Sequence, residues 1–369
     1  MGLQSVKMKN DKTYDMAETI QALQAAAAES GRSPLSILSE WWKISKQPGK
    51  LSIWEYLQYE LYKTDQDLPE KQTYISERLH WPVTDLISDP QWRATTEDKW
   101  LSYQILNSLG VNVPETIAVL DTGLRTFGKT EKLSGLDDLK AFLSRQTELP
   151  IFAKPNGDLG SYGALLIEGF EGDELIVNGG ERMPINELYE KNLSKTTYLF
   201  QRQVHNHADI QKLTSHVATL RTVNLVKDDE ISTPFVMFKI PVGKNVADNF
   251  WRAGNLLAHV DKDTGKICRV VSRNGFETIE HETHPVTGEQ LVGFQIPFYE
   301  DALALNKMCA QNYAPVRYQS LDIAITANGP LVIEINSGSS FVLPQTATGQ
   351  GLLNDEMKAF FDKYSVSAA

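Results

Sequence analysis

Cysteine is scarce in this sequence, and long apolar runs are missing. Cys268 and Cys309 are the two cysteines among 369 residues, which is too few for a disulfide scaffold, so we expect two reduced thiols. The N-terminal segment MGLQSVKMKNDKTYD is polar and has no apolar core of a secretory signal. No stretch approaches the roughly 18 apolar residues of a membrane-spanning helix. These features predict a cytoplasmic protein and leave peripheral attachment to a membrane complex open.

Positive charge is also in the minority. The chain has 36 lysines and arginines against 47 aspartates and glutamates, a formal net charge of −11. Such an excess of carboxylates repels phosphate backbones, so a nucleic-acid partner is not expected. The apolar fraction of 41% and the charged fraction of 22% are ordinary for a globular protein. The length predicts two or three domains.

The pattern of residues predicts a helical beginning followed by mixed helices and strands. Strong helix formers occupy residues 15–60, and Ser33 with Pro34 is typical of a helix start. The many tryptophans and tyrosines between residues 41 and 62 indicate either core packing or an aromatic platform for a sugar ring. Residues 217–241 alternate between apolar and polar, as paired antiparallel strands do. We therefore predict an α+β fold, divided as 1–97, 98–200 and 201–369.

The segment SLDIAITANGPLVIEIN predicts a hairpin that carries a candidate metal site. Asp322 lies on the first strand, while Glu334 and Asn336 lie two apart on the second and share one face. If the strands pair around the Asn328-Gly329 turn, Asp322 faces the other two side chains. Two carboxylates and one amide oxygen suit a hard divalent cation. The alternative is an exposed hairpin face with solvated acids.

The segment FAKPNGDLGSYG places Lys154 just before a loop that contains Gly157, Gly160 and Gly163. Glycines let backbone amides approach an anion closely, and the lysine supplies a positive charge, so the segment suits nucleotide phosphates. Its spacing fits neither the Walker A nor the dinucleotide-binding pattern. A flexible hairpin turn and a mobile lid are the alternatives.

Two further cations and one histidine are candidate site residues. Arg221 and Lys239 each lie within apolar strand patterns, where a buried cation needs an anionic partner. That partner is either the transferring phosphate or an acid in a structural ion pair. His281 and His284 could supply two ligands of a zinc ion, but a zinc site needs a third and a fourth, and the sequence offers none at suitable spacing. A zinc site is therefore not predicted. His284, which precedes Pro285, either shapes a loop or touches substrate.

Taken together, these residues resemble a known family. Lys99, Lys154, the glycine-rich loop, the strand LFQRQV, Arg221 and the Asp322–Glu334–Asn336 set occur in the order seen in ATP-grasp ligases. The chain is most similar to the sugar-transfer-associated ATP-grasp family, which is related to alpha-L-glutamate ligases. The segments that carry the narrower resemblance are SIWEYLQYEL, TLRTVNLV, VADNFWRAGN, THPVTGEQLVGFQIP and SLDIAITANGPLVIEIN.

The resemblance implies an ATP-grasp fold, in which two α+β subdomains hold ATP between them, after a mainly helical N-terminal region. The nucleotide-binding residues that it implies are Lys99, Lys154, Gly157, Gly160, Ser161, Gly163, Gln201, Gln203, Val204 and Asp209. The implied catalytic residues are Arg221, Lys239 and Asn336, and the implied ligands of Mg²⁺, with Mn²⁺ as a substitute, are Asp322, Glu334 and Asn336. Asp248, Asn249, Asn255 and His284 are expected at the substrate end. Ser320 stands where D-alanine ligases carry an arginine, so the resemblance does not extend to dipeptide-ligase geometry.

The activity that the resemblance implies is ATP-dependent joining of a carboxylate to an amine. The carboxylate is phosphorylated to an acyl phosphate, the amine attacks it, and ADP and phosphate leave. The substrates are expected to be a small acid and a small amine, in polysaccharide or sugar-conjugate biosynthesis. A kinase that phosphorylates a hydroxyl and a non-catalytic nucleotide-binding component of a polysaccharide complex are the alternatives. A homodimer is left open.

Overall fold

The computed structural model describes residues 16–157 and 163–364, so Gly160 and Ser161 of the predicted loop lie outside the described residues. Helices dominate the first part of the described chain and cover the sheets of the rest. The helices are α1 (Met16–Ser30), α2 (Pro34–Ser45), α3 (Ile53–Gln58), α4 (Leu68–Lys71), α5 (His80–Ile87), α6 (Pro90–Glu97), α7 (Lys99–Ser108), α8 (Leu136–Ser144), α9 (Ile185–Lys191), α10 (Ala208–Gln211), α11 (Tyr299–Asn312), α12 (Val342–Thr348) and α13 (Asp355–Lys363), with short 3-10 helices at Glu77–Leu79 and Leu193–Lys195.

The helical N-terminal region predicted from the sequence is confirmed. Gly31, with φ of 66°, ends α1 in a left-handed conformation. Ser33 then caps α2, because its hydroxyl accepts a hydrogen bond from the Ser36 amide and Pro34 occupies the first turn. Tyr56 and Tyr62 are buried in the apolar cluster between these helices. Most of the aromatic residues in this region therefore pack a core.

The first sheet has seven strands in the order β2-β1-β7-β3-β4-β5-β6. Its strands are β1 (Thr116–Leu120), β2 (Glu131–Leu133), β3 (Ile151–Pro155), β4 (Leu165–Glu171), β5 (Glu174–Val177), β6 (Glu181–Pro184) and β7 (Tyr198–Arg202). β1 and β2 are parallel, and the other neighbours are antiparallel. Its core side chains, such as Phe200, pack against Phe142 of α8 and Leu188 of α9. The sheet thus has one face covered by helices.

The second sheet is antiparallel throughout, with the order β12-β11-β10-β9-β8-β13-β14. Its strands are β8 (Thr219–Val226), β9 (Ile231–Ile240), β10 (Leu256–Val260), β11 (Ile267–Asn274), β12 (Glu277–Glu280), β13 (Tyr318–Thr326) and β14 (Gly329–Asn336). Both of its faces are buried. Met237 packs toward α12 and α13, whereas the adjacent Phe238 packs toward α11, because successive strand residues point to opposite faces.

The predicted antiparallel pairing of residues 217–241 is confirmed by β8 and β9, and the predicted α+β class is confirmed by the two sheets and their helices. The predicted division at residue 200 falls within β7, so the chain leaves the first sheet two residues later, and the domain boundaries stay a prediction. Among the described helices, none combines the length and the apolar character needed to cross a bilayer.

Candidate active site

The two sheets face each other across a cleft of about 380 Å³. Its walls include β3 and β7 of the first sheet and β8, β9, β13 and β14 of the second. Most of the site residues predicted from the sequence line it: Lys99, Lys154, Gln201, Gln203, Val204, Arg221, Lys239, Asp248, Asn249, Asp322, Glu334 and Asn336. Residues spread over more than two hundred positions of sequence therefore meet in one place.

The predicted hairpin brings its three polar side chains to the cleft. Asp322 on β13 lies directly opposite Glu334 on β14, and Ser320 lies opposite Asn336. Residues directly opposite each other in an antiparallel pair point to the same face. The tight turn depends on Gly329, whose φ of 101° favours glycine. The hairpin register therefore places Asp322 and Glu334 side by side.

Asp322 is the centre of a buried ion network. Arg221 on the neighbouring strand donates from Nε to Oδ1 at 2.8 Å and from a terminal nitrogen to Oδ2. Lys239 Nζ lies 3.1 Å from Asp322 Oδ1 and 3.0 Å from Asp248 Oδ2. Burial alone would raise the pKa of Asp322, but the charges of Arg221 and Lys239 outweigh it and hold this pKa well below its ordinary value. Asp322 is therefore a fixed negative charge.

Two lysines contribute charge from the other side of the cleft. Lys99 begins α7, and its Nζ lies 3.1 Å from Glu334 Oε1. Lys154 at the end of β3 donates to the Tyr103 hydroxyl at 2.8 Å, and Tyr103 in turn donates to the Ile333 carbonyl at 2.7 Å. Burial lowers the pKa of Lys154. Among the described residues, no carboxylate lies within 4.0 Å of the Lys154 ammonium.

The hairpin residues fit a magnesium ion by the chemistry of their donor atoms. Asp322 and Glu334 supply carboxylate oxygens, and Asn336 supplies an amide whose buried Nδ2 has no hydrogen-bond partner within the described chain. In the described part of the chain, no group of three or more His, Cys, Asp or Glu side chains could hold a metal. An ion bound here would therefore need phosphate oxygens or water as further ligands, which is common for Mg²⁺.

Five of the predicted residues that the structure describes are not among the residues that line the cleft. Asp209 on α10 pairs with Lys212 at 2.7 Å and is not among the residues that line the cleft. Asn255 is buried, and its side-chain amide donates to the backbone carbonyls of Ala247 and Asn249. It therefore supports the loop that carries Asp248 and Asn249 rather than touching the cleft.

His284 is likewise a loop residue. Its Nδ1 accepts hydrogen bonds from the amides of Val286 and Thr287 at 3.3 and 3.1 Å, so it shapes the turn that follows Pro285. The loop interpretation of this histidine is the one that the structure supports. Of the predicted glycines, neither Gly157 nor Gly163 lines the cleft. Gly163 has φ of 77°, and a Cβ there would lie 2.7 Å from the Tyr198 hydroxyl.

Sequence reasoning missed one whole wall of the cleft. Glu77, His80 and Trp81, from the 3-10 helix and the start of α5, line it beside residues 337–340. Glu77 Oε2 accepts a hydrogen bond from the Phe341 amide, 264 positions away in sequence. No local pattern could have indicated this pairing, because its two partners are brought together only by the packing of distant segments.

Comparison with known proteins identifies the family. The family model described as "Sugar-transfer associated ATP-grasp" matches residues 84–360. No curated protein sequence matches the chain significantly. Among solved structures, 296 chains match.

Three of these structures illustrate the likeness. An ADP complex of N5-carboxyaminoimidazole ribonucleotide synthetase is 10% identical, with a TM-score of 0.39, over 67% of this chain and 46% of that one. D-alanine–D-alanine ligase from Bacillus anthracis is 14% identical, with a TM-score of 0.41, over 75% and 69% of the two chains. Phosphoribosylamine–glycine ligase from Thermotoga maritima is 10% identical, with a TM-score of 0.43, over 76% and 56%.

This chain thus spans about half the length of the first of these structures. The family match covers the whole of both sheets, from α5 to α13. The chain therefore belongs to the sugar-transfer associated ATP-grasp family and has the ATP-grasp fold.

Proposed function

We propose that this protein is a Mg²⁺- and ATP-dependent ligase that joins a carboxylate to an amine and releases ADP and phosphate. The observation that carries the proposal is the charge of Lys154. Its buried ammonium faces the cleft with no carboxylate of the described chain in ion-pair distance. A buried cation of this kind is costly unless an anion joins it. A polyphosphate is such an anion.

The surroundings of Lys154 support this interpretation. Lys99, Arg221 and Lys239 line the same cleft and are paired with Glu334 or Asp322. These cations are held in fixed positions by strands and a helix start, so they need little rearrangement to meet a phosphate chain. Fixed charges in a partly dry cleft stabilise phosphoryl transfer more strongly than mobile ones in water.

The hairpin supplies the candidate metal ligands. Asp322, Glu334 and Asn336 would hold Mg²⁺, which when bound neutralises phosphate charge during transfer. Arg221 and Lys239 orient Asp322, since they hold both of its oxygens. We expect Gln201, Gln203 and Val204 to contact the adenosine, as the family resemblance implies.

The chemistry follows from the weakness of a carboxylate as an electrophile. Transfer of the terminal phosphoryl group to a carboxylate oxygen gives an acyl phosphate with a good leaving group. The amine nitrogen then attacks the acyl carbon, the C–N bond forms, and the C–O bond to phosphate breaks. A sugar-linked substrate is suggested by the name of the family alone.

The test is mass spectrometry of the products formed from ATP, Mg²⁺ and pooled acids and amines. ADP and phosphate should accumulate when both pools are present, together with an amide. With ¹⁸O-labelled carboxylates, one ¹⁸O atom should appear in the released phosphate. AMP and pyrophosphate as products would overturn the proposal. A phosphorylated alcohol formed without amine would indicate a kinase, and ATP binding without turnover a nucleotide-binding component.

A further inference from the structure

The Lys154 side chain needs a contact that fixes its direction. Its ammonium ends a flexible chain of methylene groups, which loses conformational entropy when it is held in one place. No carboxylate of the described chain lies in ion-pair distance, so an acid does not hold it. The contact that the structure shows is the Tyr103 hydroxyl, 2.8 Å from Lys154 Nζ. This hydroxyl is therefore the group that aims the ammonium.

Tyr103 is suited to hold an ammonium because its own proton is already committed. The side chain lies on α7, is buried, and donates its hydroxyl proton to the Ile333 carbonyl at 2.7 Å. A phenol has one proton to donate, so its oxygen is left to accept from Lys154. The Ile333 carbonyl thereby fixes the orientation of the hydroxyl, and the hydroxyl fixes the direction of the ammonium.

Helix α7 carries this contact together with a second cation. Lys99 lies four residues before Tyr103, so the two side chains share one face of the helix. Lys99 pairs with Glu334 and Tyr103 bonds to Ile333, which are adjacent residues of β14. Lys154 comes from β3 in the other sheet. The helix thus sets the two lysines relative to the hairpin that carries the candidate metal ligands.

The neutral character of the acceptor matters as much as its place. A carboxylate in the position of the Tyr103 hydroxyl would offset the charge of Lys154 and compete with a phosphate. A hydroxyl takes one of the three ammonium protons and leaves the positive charge and two protons for an anion in the cleft. Lys154 lines the cleft, whereas Tyr103 is not among the lining residues. Tyr103 can therefore affect a bound anion only through the residues that it contacts.

We propose that Tyr103 is a positioning residue for nucleotide binding, which holds the Lys154 ammonium in place for the polyphosphate without neutralising it. This role rests on the proposed function, because it needs a polyphosphate in the cleft. A cation that is already fixed loses little freedom when the anion arrives, so part of the cost of binding is avoided. Tyr103→Phe keeps the ring and removes the contact, so the ammonium becomes free to take other directions.

Isothermal titration of the full-length protein with ADP tests this role in a double-mutant cycle of Tyr103→Phe and Lys154→Met. Tyr103→Phe should weaken ADP binding about threefold to tenfold when Lys154 is present. In the Lys154→Met background it should change the affinity by less than about twofold, because the group that Tyr103 positions is gone. A purely structural role would weaken binding by the same factor in both backgrounds, and that result would overturn the proposal.

Tyr313→Phe is the matched control. Tyr313 is also buried, and its hydroxyl lies 3.4 Å from Ser102 Oγ on the same helix α7, but Tyr313 does not line the cleft. This variant also loses one buried hydroxyl beside α7, and it should bind ADP as the wild type does. A loss of ADP affinity equal to that of Tyr103→Phe would mean that any disturbance of α7 weakens the site, which would contradict a specific role of Tyr103.

The outcomes separate this role from the proposed function. If Lys154→Met weakens ADP binding but Tyr103→Phe binds ADP as the wild type does, the positioning role fails and the proposed function is untouched. If Lys154→Met binds ADP as the wild type does, both lose their support. If the two substitutions are coupled as expected but no acid–amine pair yields ADP and phosphate, the ligase proposal fails and the positioning role stands.

Discussion

Arg221 and Asp322 lie directly opposite each other on β8 and β13, and the guanidinium holds both oxygens of the carboxylate. Because they lie on adjacent strands, the guanidinium and the carboxylate form a two-point ion pair with a fixed geometry. A metal ion that uses Asp322 would therefore share this carboxylate with Arg221 and Lys239. The pair is both a structural element and part of the candidate site, so the two interpretations of Arg221 drawn from its sequence context are compatible.

Replacing Asp322 and replacing Arg221 should lower the free energy of unfolding by different amounts. Asp322→Asn leaves Arg221 without its carboxylate and Lys239 with Asp248 alone, so we expect a loss of about 3 kcal/mol or more in the free energy of unfolding. Arg221→Met should cost less, because Lys239 still pairs with Asp322. Urea unfolding at pH 7 measures both changes. Equal losses would show that the carboxylate is not the shared centre of the network.

Lys154→Met should weaken ADP binding at least about tenfold, equivalent to roughly 1.4 kcal/mol. It should leave the melting temperature unchanged or higher, because a buried ammonium without a carboxylate partner is removed. Isothermal titration with ADP and thermal unfolding measure these effects. Lys140→Met, which removes a surface lysine paired with Asp173, is the control. An unchanged ADP affinity in Lys154→Met would remove the central support for a nucleotide site.

Glu334→Gln should abolish turnover while ADP binding in the absence of Mg²⁺ persists. The substitution removes one predicted metal ligand and the partner of Lys99, but it keeps the size of the side chain. The ADP affinity of the variant should therefore change less with Mg²⁺ concentration than that of the wild type. Titrations with and without Mg²⁺ check this, and an active variant with normal Mg²⁺ dependence would contradict the metal assignment.

Glu77 predicts a pH dependence of stability. Burial raises its pKa from the ordinary 4.5 to about 8, although hydrogen bonds from the Ser340 side chain and from the amides of Phe341 and Val342 oppose the rise. Between these values the folded state keeps a proton that the unfolded state has lost, so Glu77 makes stability fall as pH rises from about 4.5 to about 8.

Glu77→Gln should remove this contribution. The melting temperature of the variant relative to wild type should rise steadily from pH 5 to pH 8 and then level off. Thermal unfolding across this range measures it, and Glu97→Gln should show no such trend. A constant difference between Glu77→Gln and wild type would mean that Glu77 is ionised in the folded protein over the whole range.

Much of the fold was predictable because it depends on local signals. The start of α2 at Ser33-Pro34, the end of α1 at Gly31 and the alternation in β8 and β9 are short-range patterns, and the structure confirms them. Asp322 and Glu334 could be placed together because a tight turn fixes hairpin register. The predictions for Asp209 and Asn255 came from the resemblance alone, and neither side chain lines the cleft.

The sequence by itself determined the helical beginning, the strand pattern and the residue types of the candidate site, because periodicity and turn residues act over a few positions. The tertiary structure decided which cations remain unpaired and which distant segments meet. Lys154 donates a hydrogen bond to the Tyr103 hydroxyl rather than pairing with an acid, and the Glu77 carboxyl accepts one from the Phe341 amide. Such contacts depend on how two sheets and a helical region pack, and packing between segments hundreds of residues apart leaves no periodic trace in the chain.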